Sequence, residues 1–165
     1  MNHVFACRLI VMTTCAASHG VAVAQEDAVT RFVLVNADSD ADIGPLNDGD
    51  TIYMGLLDTA NLNVRAVTTP ATVGSVRFAL DGNANFRTES VAPYALAGDS
   101  GGNYNPWTPA FGAHVLTATP FTGSGAGGTA GAGLTVRFTV EAGDPGLPVV
   151  DAGDDAVVIL PGVKC

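Results

Sequence analysis

Apolar and polar residues alternate one by one along much of this chain, in short runs fenced by glycine, proline, asparagine and aspartate. Leu62, Val64 and Ala66 alternate with Asn61, Asn63 and Arg65, and Val76, Phe78 and Leu80 with Ser75, Arg77 and Ala79. Leu134, Val136, Phe138 and Val140 alternate with Thr135, Arg137 and Thr139. Successive side chains of an extended backbone point to opposite faces, so this spacing predicts half-buried strands. A fourth run, residues 113–119, sets His114, Leu116 and Ala118 on one face and Val115, Thr117 and Thr119 on the other. Residues 29–35 form a β-branched and aromatic run, and shorter strands are expected at 51–54, 86–88 and 94–96. Turn chemistry separates them: Asp48-Gly49, Asp81-Gly82-Asn83, Pro93, Gly101-Gly102 and the glycine-rich stretch 123–133. No segment carries a sustained 3.6-residue apolar period with capping residues. The pattern predicts an all-β chain, a β-sandwich of about seven strands.

The apolar share, 47% of 165 residues, is ample for a packed core, and the formal net charge is −9. That balance argues against nucleic acid as a partner, because backbone phosphates require clustered Lys and Arg. The longest apolar stretch covers residues 4–24, with Arg8 early and the small residues Ala22-Val23-Ala24 at its end. This order predicts a secretory signal peptide over residues 1–24, cleaved after Ala24, and a secreted or cell-surface protein. Thr13, Thr14, Ser18 and His19 interrupt the stretch and make it a poor membrane span, so no span is expected after cleavage. Cleavage leaves Cys165 and His114 as the only residues of their types. An internal disulfide is then ruled out, and a zinc site built from His and Cys is not expected.

Three strand segments carry a family likeness. Gly74 through Gly82 is a strand ending in an Asp-Gly hairpin, Val91-Ala92-Pro93-Tyr94-Ala95-Leu96 contains a Pro-Tyr strand, and Gly112-Ala113-His114-Val115-Leu116-Thr117-Ala118-Thr119 spaces Gly, His, Leu and Ala along one strand. In this order, and closed by the run at 134–140, residues 73–140 resemble bacterial immunoglobulin-like domains of secreted and surface proteins. The resemblance implies an immunoglobulin-like β-sandwich, here residues 25–141, acting as a spacer, adhesion unit or companion of other domains. Residues 142–148 read as a Gly/Pro linker. Val149-Val150-Asp151-Ala152-Gly153-Asp154-Asp155, followed by an apolar run and Pro161-Gly162, is similar to the first strand of PKD-type repeats. Residues 149–165 are therefore expected to open a second domain of which this chain holds only the start.

Four constellations suggest chemistry. Gly98-Asp99-Ser100-Gly101-Gly102 resembles the nucleophile pentapeptide of chymotrypsin-like proteases. That chemistry needs a histidine base oriented by a carboxylate, whereas His114 follows the serine on an inward strand face, so a surface turn is expected. Gly123-Ser124-Gly125-Ala126-Gly127-Gly128 fits the dinucleotide-binding glycine spacing, yet a strand and no helix follows, so a hairpin loop is expected and no cofactor. Asp38, Asp40 and Asp42 stand at alternate positions and can gather oxygens around calcium, but Ile43 and Gly49 occupy the places where an EF-type loop wants Gly and Glu. A solvated acidic loop is the better expectation. Asp99, Asn103, Tyr104, Asn105 and Trp107 form a turn in which an aromatic ring flanked by amides can stack on a sugar. Two readings follow: a non-catalytic spacer, adhesion or accessory module contacting other surface proteins, and a carbohydrate-binding module using Trp107 and Tyr104 on a polysaccharide. No nucleophile or acid–base pair with a partner supports an enzyme. Arg77 and Arg137 are expected on the outward faces of strands flanking the His114 strand, as part of an ordinary solvated face. His114 is expected to be partly buried and hydrogen-bonded.

Overall fold

The computed structural model describes residues 26–143. The expected signal peptide, the linker from residue 144 onward and the tail at 149–165 lie outside the described residues. Eleven strands follow in order: β1 (Ala28–Asn36), β2 (Ala41–Leu46), β3 (Thr51–Tyr53), β4 (Leu62–Thr69), β5 (Ser75–Leu80), β6 (Asn83–Glu89), β7 (Tyr94–Ala95), β8 (Asp99–Ser100), β9 (Asn103–Tyr104), β10 (Gly112–Phe121) and β11 (Leu134–Glu141). They build a four-stranded sheet in the order β2-β1-β4-β7 and a five-stranded sheet in the order β3-β11-β10-β5-β6; β8 and β9 pair only with each other. The chain passes from one sheet to the other after β2, β3, β4, β6 and β7. All pairings are antiparallel except β3 with β11, which lie parallel at Thr51↔Thr139 through Tyr53↔Glu141. This is an immunoglobulin-like β-sandwich.

Register explains which side chains meet. In β4, Leu62, Val64 and Ala66 face inward, and antiparallel pairing sets Val64 against Leu34 and Ala66 against Phe32 of β1. On the other sheet Leu116 of β10 stands between Leu80 and Val136, and Ala118 between Phe78 and Leu134. Phe32, Leu62, Val64, Val76, Phe78, Leu116 and Ala118 are fully buried in the one large core cluster between the sheets. At roughly 1.5–3 kcal/mol per large apolar side chain, this cluster dominates stability. Tyr94 closes one end: its hydroxyl donates to the Val73 carbonyl (2.7 Å) and accepts from the Val73 N–H (2.9 Å), so its ring is buried with its polar tip satisfied.

The glycine stretch after β10 is an ordered turn. Its short 3-10 segment (Ser124–Ala126) is tied down by Ser75, whose Oγ donates to the Gly123 carbonyl (2.6 Å) and accepts from the Ala126 N–H (2.9 Å). Gly74 permits this approach, since a Cβ there would lie 2.3 Å from the Thr122 carbonyl oxygen. Strand β11 follows, as the sequence reading of a hairpin loop requires.

Candidate functional site

The outer face of the four-stranded sheet is where the two ligand-suggesting loops meet. On β1, Phe32 and Leu34 point into the sandwich, so Val33 and Val35 point away from it; yet they are as buried as their neighbours. Their cover is the β8–β9 hairpin. Its two-residue turn, Gly101-Gly102, has φ of +63° and +94°, both in the left-handed region that suits tight hairpins and favours glycine. Asp99 Oδ2 locks the turn by accepting from the Gly102 N–H at 2.6 Å. Folded back this way, the hairpin lays Tyr104 onto Val33, Val35 and Ala95, with Ala37 and Val67 alongside, as a second small apolar cluster.

Asn63 organises the polar edge of this cluster. Its position in β4 points outward, but the side chain is fully buried under the hairpin. Nδ2 donates to the Gly98 carbonyl (3.1 Å) and the Asn105 carbonyl (2.8 Å), while Oδ1 accepts from the Val64 and Ala97 N–H groups (2.8 and 3.1 Å). One amide thus uses all its capacity to splice the segment 97–105 onto β4. A lone buried asparagine would cost several kcal/mol; a fully bonded one fixes a single arrangement.

Asp40 and Asp42 serve the same junction. Asp40 Oδ1 accepts from the Tyr104 N–H at 2.8 Å. Asp42 pairs with Arg65 at 2.7 Å, and the same guanidinium donates from Nη1 to the Tyr104 hydroxyl at 3.0 Å. The contact with Asp42, more than that with Tyr104, raises Arg65 above its ordinary value. Asp38 turns elsewhere: it accepts from the Thr59 hydroxyl and from Asn61 Nδ2 (2.8 Å), and these two bonds hold its carboxyl below the usual value. Asp38, Asp40 and Asp42 therefore address three different partners. Among the described residues no three His, Cys, Asp or Glu side chains converge as a metal-binding set.

Of the carbohydrate candidates, Asn103 and Asn105 are exposed, Asp99 is half-buried and Tyr104 is buried. Trp107 sits past the hairpin at the end of the sandwich. Its backbone bridges to Leu62 in both directions, N–H to carbonyl at 2.6 Å and carbonyl to N–H at 3.0 Å. The half-buried indole packs on the main core and stands edge-on to Phe138 (6.5 Å) and His114 (6.4 Å). His114 stacks on Phe138 at 5.2 Å and is itself buried, with Nδ1 2.7 Å from Asp81 Oδ2 and Nε2 2.8 Å from the Ala110 carbonyl. Both ring nitrogens are thus engaged, one by a side chain and one by the backbone. Ser100, in the protease-like pentapeptide, belongs to the exposed β8–β9 turn.

Two roles escaped sequence reasoning. Asn63 reads as a solvent-facing residue of an alternating strand, and the Asp40–Tyr104 bond joins residues that no local pattern relates. A usable signal lay in Phe32-Val33-Leu34-Val35, where unbroken apolarity in place of alternation marks a strand covered on both faces.

No family model matches the chain, and no curated protein matches it. Among solved structures the chain is similar to one described as "Structures of Clostridium thermocellum CbhA fibronectin(III)-like modules", at 18% identity and a TM-score of 0.39, over 60% of this chain and 94% of that one.

Proposed function

We propose that this chain is a non-catalytic immunoglobulin-like module of an exported, multidomain protein, serving as a spacer, adhesion or accessory unit. The observation that carries the reading is how the suggestive side chains are employed. Tyr104 covers the outer face of one sheet, Trp107 seals the end of the sandwich, and Asp40, Asp42, Asn63 and Arg65 bind the hairpin in place. These groups hold the fold together, as expected of a module that presents or separates other domains. Export rests on the Arg8-led apolar stretch and the Ala22-Val23-Ala24 sequence. Among the described residues no helix is long and apolar enough to cross a membrane.

The second reading, a carbohydrate-binding module, draws on the exposed amides of Asn103 and Asn105 and the accessible part of the Trp107 ring. Trp107→Ala separates the two. As a structural seal the residue is expected to contribute about 3–5 kcal/mol, lost through burial and cavity terms in denaturant unfolding. Loss of retention on a polysaccharide column with an unchanged unfolding midpoint would instead establish the binding module.

A further inference from the structure

The outer face of the five-stranded sheet carries positive charge on a chain whose formal net charge is −9. Arg77 of β5 and Arg137 of β11 both stand on it. Arg65 and Arg87 are each paired with a carboxylate, whereas among the described residues Arg77 and Arg137 enter no ion pair. The outward positions between them are Ala79, Val115, Thr117, Thr119 and Thr135, none of them charged. Carboxylates at the rim are committed to backbone groups: Asp48 accepts from the Arg137 N–H (2.7 Å) and Asp81 from the Val115 N–H (2.9 Å), Asp81 also meeting His114. Glu141 lies past Thr139, at the far end of β11.

Register fixes the spacing of the two guanidiniums. Arg77 is opposite Thr119 and Arg137 opposite Val115, on the two flanks of β10. Strand rise and strand separation then put their Cα atoms about 16 Å apart, the span of a short oligosaccharide. The Arg77 guanidinium lies 4.9 Å from the Phe121 ring centre, a cation–π contact that holds it along the sheet. Phe86 of the edge strand β6, 38% exposed, shares this face two residues from Thr88, the partner of Arg77. Beside Arg137 the face dips into a shallow cavity of about 200 Å³ whose lining includes Gly49, Ala113, Val115, Arg137 and Thr139. Its apolar floor suits the C–H face of a sugar ring, with a hydroxyl and a guanidinium at the edge to orient it. The planar fork of arginine matches a carboxylate in two parallel hydrogen bonds.

We propose that the outer face of the five-stranded sheet binds an acidic polysaccharide whose sugars carry carboxylates. Arg137 and the cavity beside it seat one uronate residue, and Arg77 engages a second farther along the glycan. The hydroxyls of Thr117, Thr119 and Thr135 meet the sugars between them. A neutral glycan leaves both guanidiniums unused, and a polyanion without sugar rings leaves the cavity unfilled. This names a partner class for the adhesion or accessory unit proposed above; it rests on that reading for its role and not for the contact itself.

Calorimetric titration of the full chain with polygalacturonate at low ionic strength tests it, with fully methyl-esterified polygalacturonate and polyglutamate as controls. Binding is expected to polygalacturonate alone and to weaken as salt is added. Arg77→Gln and Arg137→Gln should each weaken it about tenfold, as for one charge-assisted hydrogen bond, and together abolish it. Both positions are solvated, so the unfolding midpoints should stay unchanged. No binding of polygalacturonate, undiminished binding by the double variant, or equal binding of either control would overturn the site. So would loss of binding in Trp107→Ala but not in the arginine variants, which would move the glycan to the end of the sandwich. An inert threonine face leaves the spacer reading standing, whereas that reading falls to the Trp107→Ala result described above.

Discussion

The outer faces of the two sheets have opposite fates, although both sheets pack inward on the same core. On the five-stranded sheet the outward residues are Val115, Thr117 and Thr119 of β10, Thr135, Arg137 and Thr139 of β11, and Arg77 of β5. They form a wet, threonine-rich surface: Val115 is 42% exposed, Thr117 and Thr135 share a hydroxyl hydrogen bond at 2.8 Å, and the Arg77 guanidinium lies 4.9 Å from the Phe121 ring centre. On the four-stranded sheet the corresponding positions, Val33, Val35 and Asn63, are buried beneath the β8–β9 hairpin. A hairpin of two-residue strands is not stable alone. It persists here because Tyr104 supplies apolar area and Asn63 satisfies three backbone groups of the segment 97–105. The difference shows how a loop rich in amides, glycines and aromatics, which resembles a ligand platform in sequence, is absorbed as a third layer.

Substitutions on the two faces should therefore diverge. The largest effect is expected for Tyr104→Ala, which removes a buried ring together with the hydroxyl that accepts from Arg65, about 3–5 kcal/mol by denaturant unfolding. Asn63→Ala follows, at about 3 kcal/mol, because it orphans the Gly98 and Asn105 carbonyls and the Ala97 N–H under the hairpin. On the opposite face Arg137→Ala is expected to change stability by no more than about 0.5 kcal/mol, as for a solvated strand position. A large loss there would mean that the threonine face is covered too, and the contrast between the sheets would disappear.

Legibility in the sequence followed the same division. Strands β5, β10 and β11, and the inner face of β4, were readable because a wet outer face preserves strict alternation. The short strands β3 and β7 also fell where turn residues and aromatic runs place them, and the strand expected at 86–88 is the latter part of the longer β6, which begins at Asn83. Strand β2 was not read: Asp42, Gly44 and Pro45 are residues that strands disfavour, and an edge strand tolerates Pro45 where a central one would not. Its stretch overlaps the segment read as an acidic loop. The β8–β9 hairpin was read as a turn, since two-residue strands carry no period. Of the candidate site, the turn glycines and the inward His114 were legible. The roles of Asp40, Asn63 and Tyr104 were not, because their partners lie 64, 42 and 39 residues away in sequence. Period alone assigns a polar residue on an alternating strand to water and cannot announce a covering layer.

The claim that the hairpin is a structural layer is tested most directly by native-state hydrogen exchange of the Tyr104 amide, which donates to Asp40. A hairpin packed on β1 and β4 should give this amide protection of the same order as the β4 amides, reporting an opening free energy close to that of global unfolding. Exchange at the rate of an unstructured chain, with β4 still protected, would show that the hairpin lifts freely and would contradict the account.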